Sequence, residues 1–365
     1  MSALEYYKAL HKMPELSEKE FETSKYIYNM LCKFGYNPTF LKGTGVFADL
    51  VTDNNLSWIL LRADIDALPI NEESDLSYAS KNDGVMHACG HDAHTAMLLE
   101  TAENLKGKKL AHNIRFVFQP AEETTTGAAK IIDEVIPQNL IACFAMHVWP
   151  QIPFGKTVTK RGALMASSDF LKLKFHGKSA HCSTQEKGNN ALLSAVDMVS
   201  SFPDINKNAT NNEAMLFCGS IHSGNLHNIV PDLSEIYGTI RTYSIKHREN
   251  IKNLIQKAAD DIAKKYGTIP DITYDGGCPP VYNNDKLVDI LTDGSFGVSD
   301  KASPTLAGED FSLFGEHAPS CMMWLGIGDT PPLHNERFFV PQDVLPIGVD
   351  LWLKIAQFNW EDKLS

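Results

Sequence analysis

Three short stretches of the chain are apolar on both faces: "SWILLRADI" (57–65), "NIRFVFQP" (113–120) and "LIACFAMHV" (140–148). Such runs predict strands buried on both sides, as in a parallel sheet covered by helices. Patterns of helical period lie between them, at about 92–106 and 126–135. Strand alternating with helix predicts an α/β layer with a parallel core. The N-terminal "MSALEYYKALHKMPELSEKEF" reads as the start of an amphipathic helix.

Near residue 169 the pattern changes. "DFLKLKFHG" alternates apolar and polar positions, as a half-exposed antiparallel strand does. A helix at about 190–201 follows, then strands near 214–222 and 234–243, a long amphipathic helix at about 246–265 and a strand near 269–275. This β-α-β-β-α-β order predicts a ferredoxin-like sandwich. After "GGCPPVYNN" the α/β pattern returns and ends in an apolar-striped helix at about 344–359. The reading is therefore a catalytic α/β domain in two parts, 1–168 and 284–365, interrupted by a small α+β domain at 169–283.

Composition adds limits. Apolar residues make up 43% and charged residues 21%, ordinary for a globular chain, and the formal net charge is −12. No basic stripe is present, which argues against a nucleic-acid partner. No apolar run is long enough to span a membrane. Seven widely scattered cysteines do not form a disulfide framework; they fit a reducing cytoplasm.

Ionisable residues recur where the predicted strands end: Asp64 and Asp66 in "RADIDALP", Glu122 and Glu123 in "QPAEE", His147 in "MHVWP". Open α/β sheets bind ligands outside the carboxyl ends of their strands. "MHACGHDAHTA" adds Cys89 and His91 just before a helix. A thiolate and an imidazole at that spacing suit Zn²⁺, or Mn²⁺ and Co²⁺ with carboxylate help. His94 lies inside the helix, where it can pack or support a ligand. Each group alone has an ordinary explanation, from capping to surface charge; their convergence on one rim does not.

"HACGHDAHTAMLL", "RADIDALP", "QPAEE", "MHVWP", "GTIRT", "GEDF" and "LHNERF" together resemble the amidohydrolase branch of the dinuclear-metal aminoacylase and carboxypeptidase superfamily. That branch includes hippurate hydrolase, auxin-conjugate hydrolases and N-acetyl-diaminopimelate deacetylase. The resemblance runs in order from "LHKMPELSEKEF" to the last helix. It implies a zinc-peptidase-like mixed, mostly parallel sheet flanked by helices, with the ferredoxin-like insert as lid. It also implies two divalent ions on Cys89, His91, Glu123, His147 and His334, with Glu122 as general base. An aspartate after the first strand is implied to be catalytic; Asp64 is favoured, Asp66 is the other candidate. On the lid, His181 in "GKSAHCS" matches a group that stabilises the oxyanion, in relatives sometimes from a partner subunit. Asn228 in "HNIVP" and Arg241 in "GTIRT" match positions that hold a substrate carboxylate; Arg241 also reads as a plain strand-surface charge.

The implied activity is hydrolysis of the amide of an N-acyl, for instance N-acetyl, amino acid. A short-peptide hydrolase is the alternative within the fold, and a non-catalytic binder of amino-acid conjugates is the alternative outside catalysis. Homodimerisation through the lid is a further expectation, with lid closure about hinges near 162–169 and 279–286. "SAHCSTQ" and the "TTTGA" after "PAEE" depart from the family pattern, and both bear on the acyl or leaving-group pocket.

Overall fold

The computed structural model describes residues 1–210 and 214–364. The chain divides into two compact units: residues 1–164, 281–303 and 310–365 form the first, residues 165–280 and 304–309 the second.

In the first unit an eight-stranded sheet is built from β1 (Thr39–Phe40), β2 (Val46–Leu50), β3 (Trp58–Asp64), β4 (Asn113–Gln119), β5 (Leu140–Trp149), β6 (Thr157–Val158), β13 (Val298–Ser299) and β14 (Ser320–Gly326). Their order is β1-β2-β4-β3-β5-β14-β6-β13. β3 is parallel to both β4 and β5, and β5 is parallel to β14, so these carboxyl ends share one rim. β3 and β14 are buried almost throughout, which is why the sequence shows runs rather than alternation. A two-stranded ribbon joins β7 (Gly162–Met165) and β12 (Val281–Asn283).

Helices α1 (Ala3–His11), α2 (Phe21–Lys33), α3 (His91–Leu105), α4 (Gly127–Val135), α8 (Asp285–Leu291), α9 (Leu345–Gln357) and α10 (Glu361–Leu364) complete this unit. The 91–105 helix is buried on almost every side, so its apolar stripe is weak, and its Ala, Met and Leu residues fill the core. Trp360 closes that core. It is fully buried, packs at 4.7 Å from Phe144 and 4.8 Å from Phe358, and donates its indole N–H to the Ile355 carbonyl.

The second unit has a four-stranded antiparallel sheet of β8 (Ser168–His176), β9 (Ala214–Ser223), β10 (Leu233–Thr242) and β11 (Ile269–Cys278), in order β11-β8-β10-β9. Helices α5 (Ala191–Ser200), α6 (Phe202–Thr210) and α7 (Ile245–Tyr266) cover one face through Leu171, Leu173, Phe175, Ile236 and Ile240. The fold class expected from the sequence, mixed sheet plus ferredoxin-like unit, is the one observed. Helix α6, directly joined to α5, the short antiparallel β2 and strand β14 went unread. No helix among the described residues is long and apolar enough to cross a membrane.

Trp360→Ala should cost about 3–5 kcal/mol of unfolding free energy, because the cavity it leaves is lined by rigid aromatic rings; a urea unfolding midpoint measures it.

Candidate metal centre

Four segments bring the chemistry to the rim. β3 ends on Asp64 and its continuation carries Asp66; β4 leads into the Glu122–Glu123 turn; His147 lies near the end of β5. The fourth segment is the entry to α3. Gly90 there adopts φ +89°, and a Cβ on it would come within 2.4 Å of Val148 Cγ2. Only glycine lets Cys89 and His91 approach the β5 strand this closely. His334 arrives from a separate loop, also at positive φ, and is tied by its N–H to the Ala88 carbonyl at 2.8 Å.

All five expected ligands converge. Donor atoms of Cys89, His91 and His147 lie mutually within 4.8 Å, as do those of Cys89, Glu123 and His334, and those of His91, Glu122 and Glu123. Cys89 Sγ is 3.4 Å from His147 Nε2, and His334 Nε2 is 3.4 Å from Glu123 Oε2. His91 Nε2 stands 3.9 Å from both Glu122 Oε2 and Glu123 Oε1.

The outer nitrogens fix which lone pairs face inward. His91 Nδ1 donates to Asp66, at 3.0 Å to its carbonyl and 3.1 Å to Oδ1. His147 Nδ1 donates to the Val148 carbonyl at 2.6 Å. Both rings therefore turn Nε2 toward the cluster, the tautomer a metal ligand needs. His94 is different. Its Nε2 accepts the Val148 N–H at 2.8 Å, so the proton is on Nδ1 and is donated to Asp64 Oδ1 at 2.6 Å. With both nitrogens engaged, His94 supports the rim and is not a ligand.

Two buried polar atoms in the cluster, His91 Nε2 and Glu123 Oε1, have no hydrogen-bond partner. Buried polar atoms are rarely left so. The electrostatics agree. Burial alone would discourage a charged His91, yet Asp64, Asp66 and Glu123 pull its pKa up to about 10. Burial and the carboxylates of Glu123, Glu122 and Asp64 hold the Cys89 thiol well above its ordinary range. A pocket that draws protons onto a histidine and a thiol is short of positive charge. Donor types, tautomers and charge all fit divalent cations.

Asp64 also accepts from Arg62 Nη1 at 2.7 Å, and Arg62 in turn meets Gln119 at 2.9 Å and Asp310 at 3.3 Å, all buried. His11 Nδ1 bonds Asp92 Oδ2 at 2.6 Å, in the first turn of α3. Sequence reading passed over Arg62, Asp310 and His11. The charged Arg62 within the apolar "WILLRAD" was the visible signal.

The remaining three candidates lie in the second unit. His181 is exposed and its Nδ1 is 2.8 Å from Ser183 Oγ. Asn228 sits beside it, its carbonyl accepting the Cys182 N–H at 3.0 Å. Both flank the Leu233 end of β10, whereas Arg241 lies near the Thr242 end, against Gly308. The structure pairs His181 with Asn228 and sets Arg241 apart, roughly 25 Å away at the rise of a strand.

The model of peptidase family M20/M25/M40 matches residues 60–357. The chain belongs to this family. It is 36% identical to the N-acetyl-L-cysteine deacetylase of Bacillus subtilis, covering 98% of this chain and 88% of that one. It is 33% identical to the N-acetyldiaminopimelate deacetylase of Streptococcus uberis, over 90% of this chain and 91% of the relative. Among solved structures it superposes with TM-score 0.85 on the Bacillus subtilis YXEP protein, a dinuclear metal binding peptidase of the M20 family, at 30% identity, covering 97% of this chain and 96% of that chain. The family expected from the sequence motifs is the family found.

Cation binding to this M20 member should release protons, since Cys89 must become a thiolate and His91 must give up its second proton. Apparent affinity should rise by about tenfold per pH unit for each proton displaced. Calorimetry in buffers of different ionisation enthalpy counts the protons; uptake without release would contradict the donor assignment.

Proposed function

We propose that the chain is a metal-dependent amidohydrolase that cleaves N-acyl amino acids, N-acetyl compounds foremost, to a carboxylate and a free amino acid. The observation that carries this reading is a buried carboxylate, Glu122, next to the Glu123 donor and 3.9 Å from His91 Nε2. That arrangement sets a proton-handling group beside a cluster of candidate metal donors. The names of its relatives as deacetylases support the acetyl preference.

Cys89, His91, Glu123, His147 and His334 would hold two divalent cations, which when bound polarise the scissile carbonyl and acidify water. Glu122 takes the proton from the attacking water and returns it to the leaving amine. Asp66 holds His91 by its Nδ1 proton and keeps Nε2 aimed inward. Asp64, favoured on sequence as the catalytic aspartate, is occupied by Arg62 and His94; we assign the orienting role to Asp66. The mixed thiolate, imidazole and carboxylate donors favour Zn²⁺ or Co²⁺ and admit Mn²⁺. A ligand thiol suits a reducing, cytoplasmic setting.

His181, Asn228 and Arg241 are proposed substrate-binding residues. A small substrate cannot meet both ends of β10 of one chain, which favours His181 being supplied by a second copy. Exposed Leu192, Leu193 and Val196 on α5, with the unpaired edge of β9, offer the second unit as the dimer surface. The lid role expected of residues 169–283 belongs to the same proposal.

Ninhydrin-detected amine release should follow addition of Mn²⁺, Zn²⁺ or Co²⁺ to chelated protein, with N-acetyl substrates ahead of N-benzoyl ones and dipeptides. Glu122→Gln should lower kcat by about 10²–10⁴-fold. Dipeptides as best substrates would transfer the chain to the peptidases, and metal-loaded protein inert to the whole panel would favour a binder. Sedimentation should show a dimer, and Val196→Glu should shift it toward monomer.

A further inference from the structure

Glu20 is fully buried and has no cationic partner among its hydrogen bonds. One carboxylate oxygen accepts the Ala121 N–H at 2.8 Å, and the other accepts the Thr44 hydroxyl. Desolvating a carboxylate for two neutral donors is costly. What it holds is the turn that carries Glu122 and Glu123.

That turn is strained at two places and needs a glycine at a third. Ala121 and Thr125 have φ of +53° and +52°, a region that costs a residue with a side chain about 1–2 kcal/mol. At Gly127 a Cβ would sit 1.6 Å from the Pro120 carbonyl oxygen. The turn closes on itself through Thr125 N–H to the Glu122 carbonyl at 2.7 Å and Gly127 N–H to the Ala121 carbonyl at 3.1 Å. Two outside carboxylates then pin it: Glu20 on the Ala121 N–H, and Asp66 Oδ2 on the Glu123 N–H at 3.0 Å. Asp66 thereby serves the Glu123 side, and Glu20 holds the N–H of the residue that precedes Glu122.

We infer that Glu20 is a positioning residue for the general base: by accepting the Ala121 N–H it keeps that residue left-handed and so sets where the Glu122 carboxylate stands. The inference rests on Glu122 being the base. Glu20 itself touches no reacting atom.

Three variants separate reach from charge. Gln keeps an oxygen for Ala121 and loses the charge; Asp keeps the charge and falls one methylene short; Ala loses both. Glu20→Ala and Glu20→Asp should each lower kcat by about 100-fold, the cost of a misplacement near 1 Å, with KM within about threefold. Glu20→Gln should return kcat to within about fivefold of wild type. Metal content, measured by elemental analysis on all three, should match wild type, because Asp66 still holds the Glu123 side. Glu20→Asp active and Glu20→Gln inactive would overturn the inference, as would folded Glu20→Ala with unchanged kcat. Should Glu20→Ala not fold, the Gln and Asp ranking decides alone. Glu122→Gln is run beside them. Its full activity would sink the base assignment and this inference together, whereas inactive Glu122→Gln with unimpaired Glu20→Asp sinks the role of Glu20 only.

Discussion

Charge removed from water needs a partner, and the rim of the large sheet gathers more acid than it can neutralise. Asp64, Asp66, Glu122 and Glu123 converge there, and Arg62 brings a permanent positive charge to Asp64. The deficit drives protons onto His91 and Cys89 when no cation is present. Everything around the rim is arranged to keep that imbalance in place. Asp66 and the Val148 carbonyl claim the outer nitrogens of His91 and His147, and His94 locks Asp64 to the β5 backbone. Cation binding relieves the imbalance, so affinity, pH dependence and fold stability are linked through the same few side chains.

Holding these groups requires backbone geometry that ordinary residues avoid. Gly90, Ala121, Thr125 and His334 all lie at positive φ, in the segments that carry the candidate donors. Strain of this kind persists only where surrounding structure dictates it. Here the dictating contacts come from far away in sequence. Glu20 reaches Ala121 across 101 residues, and the Ala88 carbonyl fixes the His334 loop. The N-terminal segment thus braces the Glu122–Glu123 turn from a distance.

The second unit follows a different logic. Its core is a simple two-layer sandwich, with helices on one face of the sheet and β11 and β9 at its two edges. The separation of His181 and Arg241 along β10 is a plain consequence of strand geometry, and it bears on assembly. Two residues expected to meet one small molecule cannot both do so from a single copy of that strand.

Much was legible in the chain. The double-sided apolar runs marked β3, β4 and β5, because a strand buried on both faces leaves no polar alternation. Glu122, Glu123 and His147 stood out where those runs stop, and Cys89 and His91 in the dense "MHACGHDAHTA" stretch before a helix. His334 rested on resemblance alone, since no local pattern sets it apart from any loop histidine. Tertiary structure decided the rest. Tautomers depend on what each outer nitrogen meets, so only packing could show that His94 is a support and that Asp66 holds His91. Asp310 and Glu20 have no local pattern that ties them to the site, because their partners lie on other segments. Sequence determines which chemical groups exist and which elements carry them; the long-range pairing of buried charges decides what each one does.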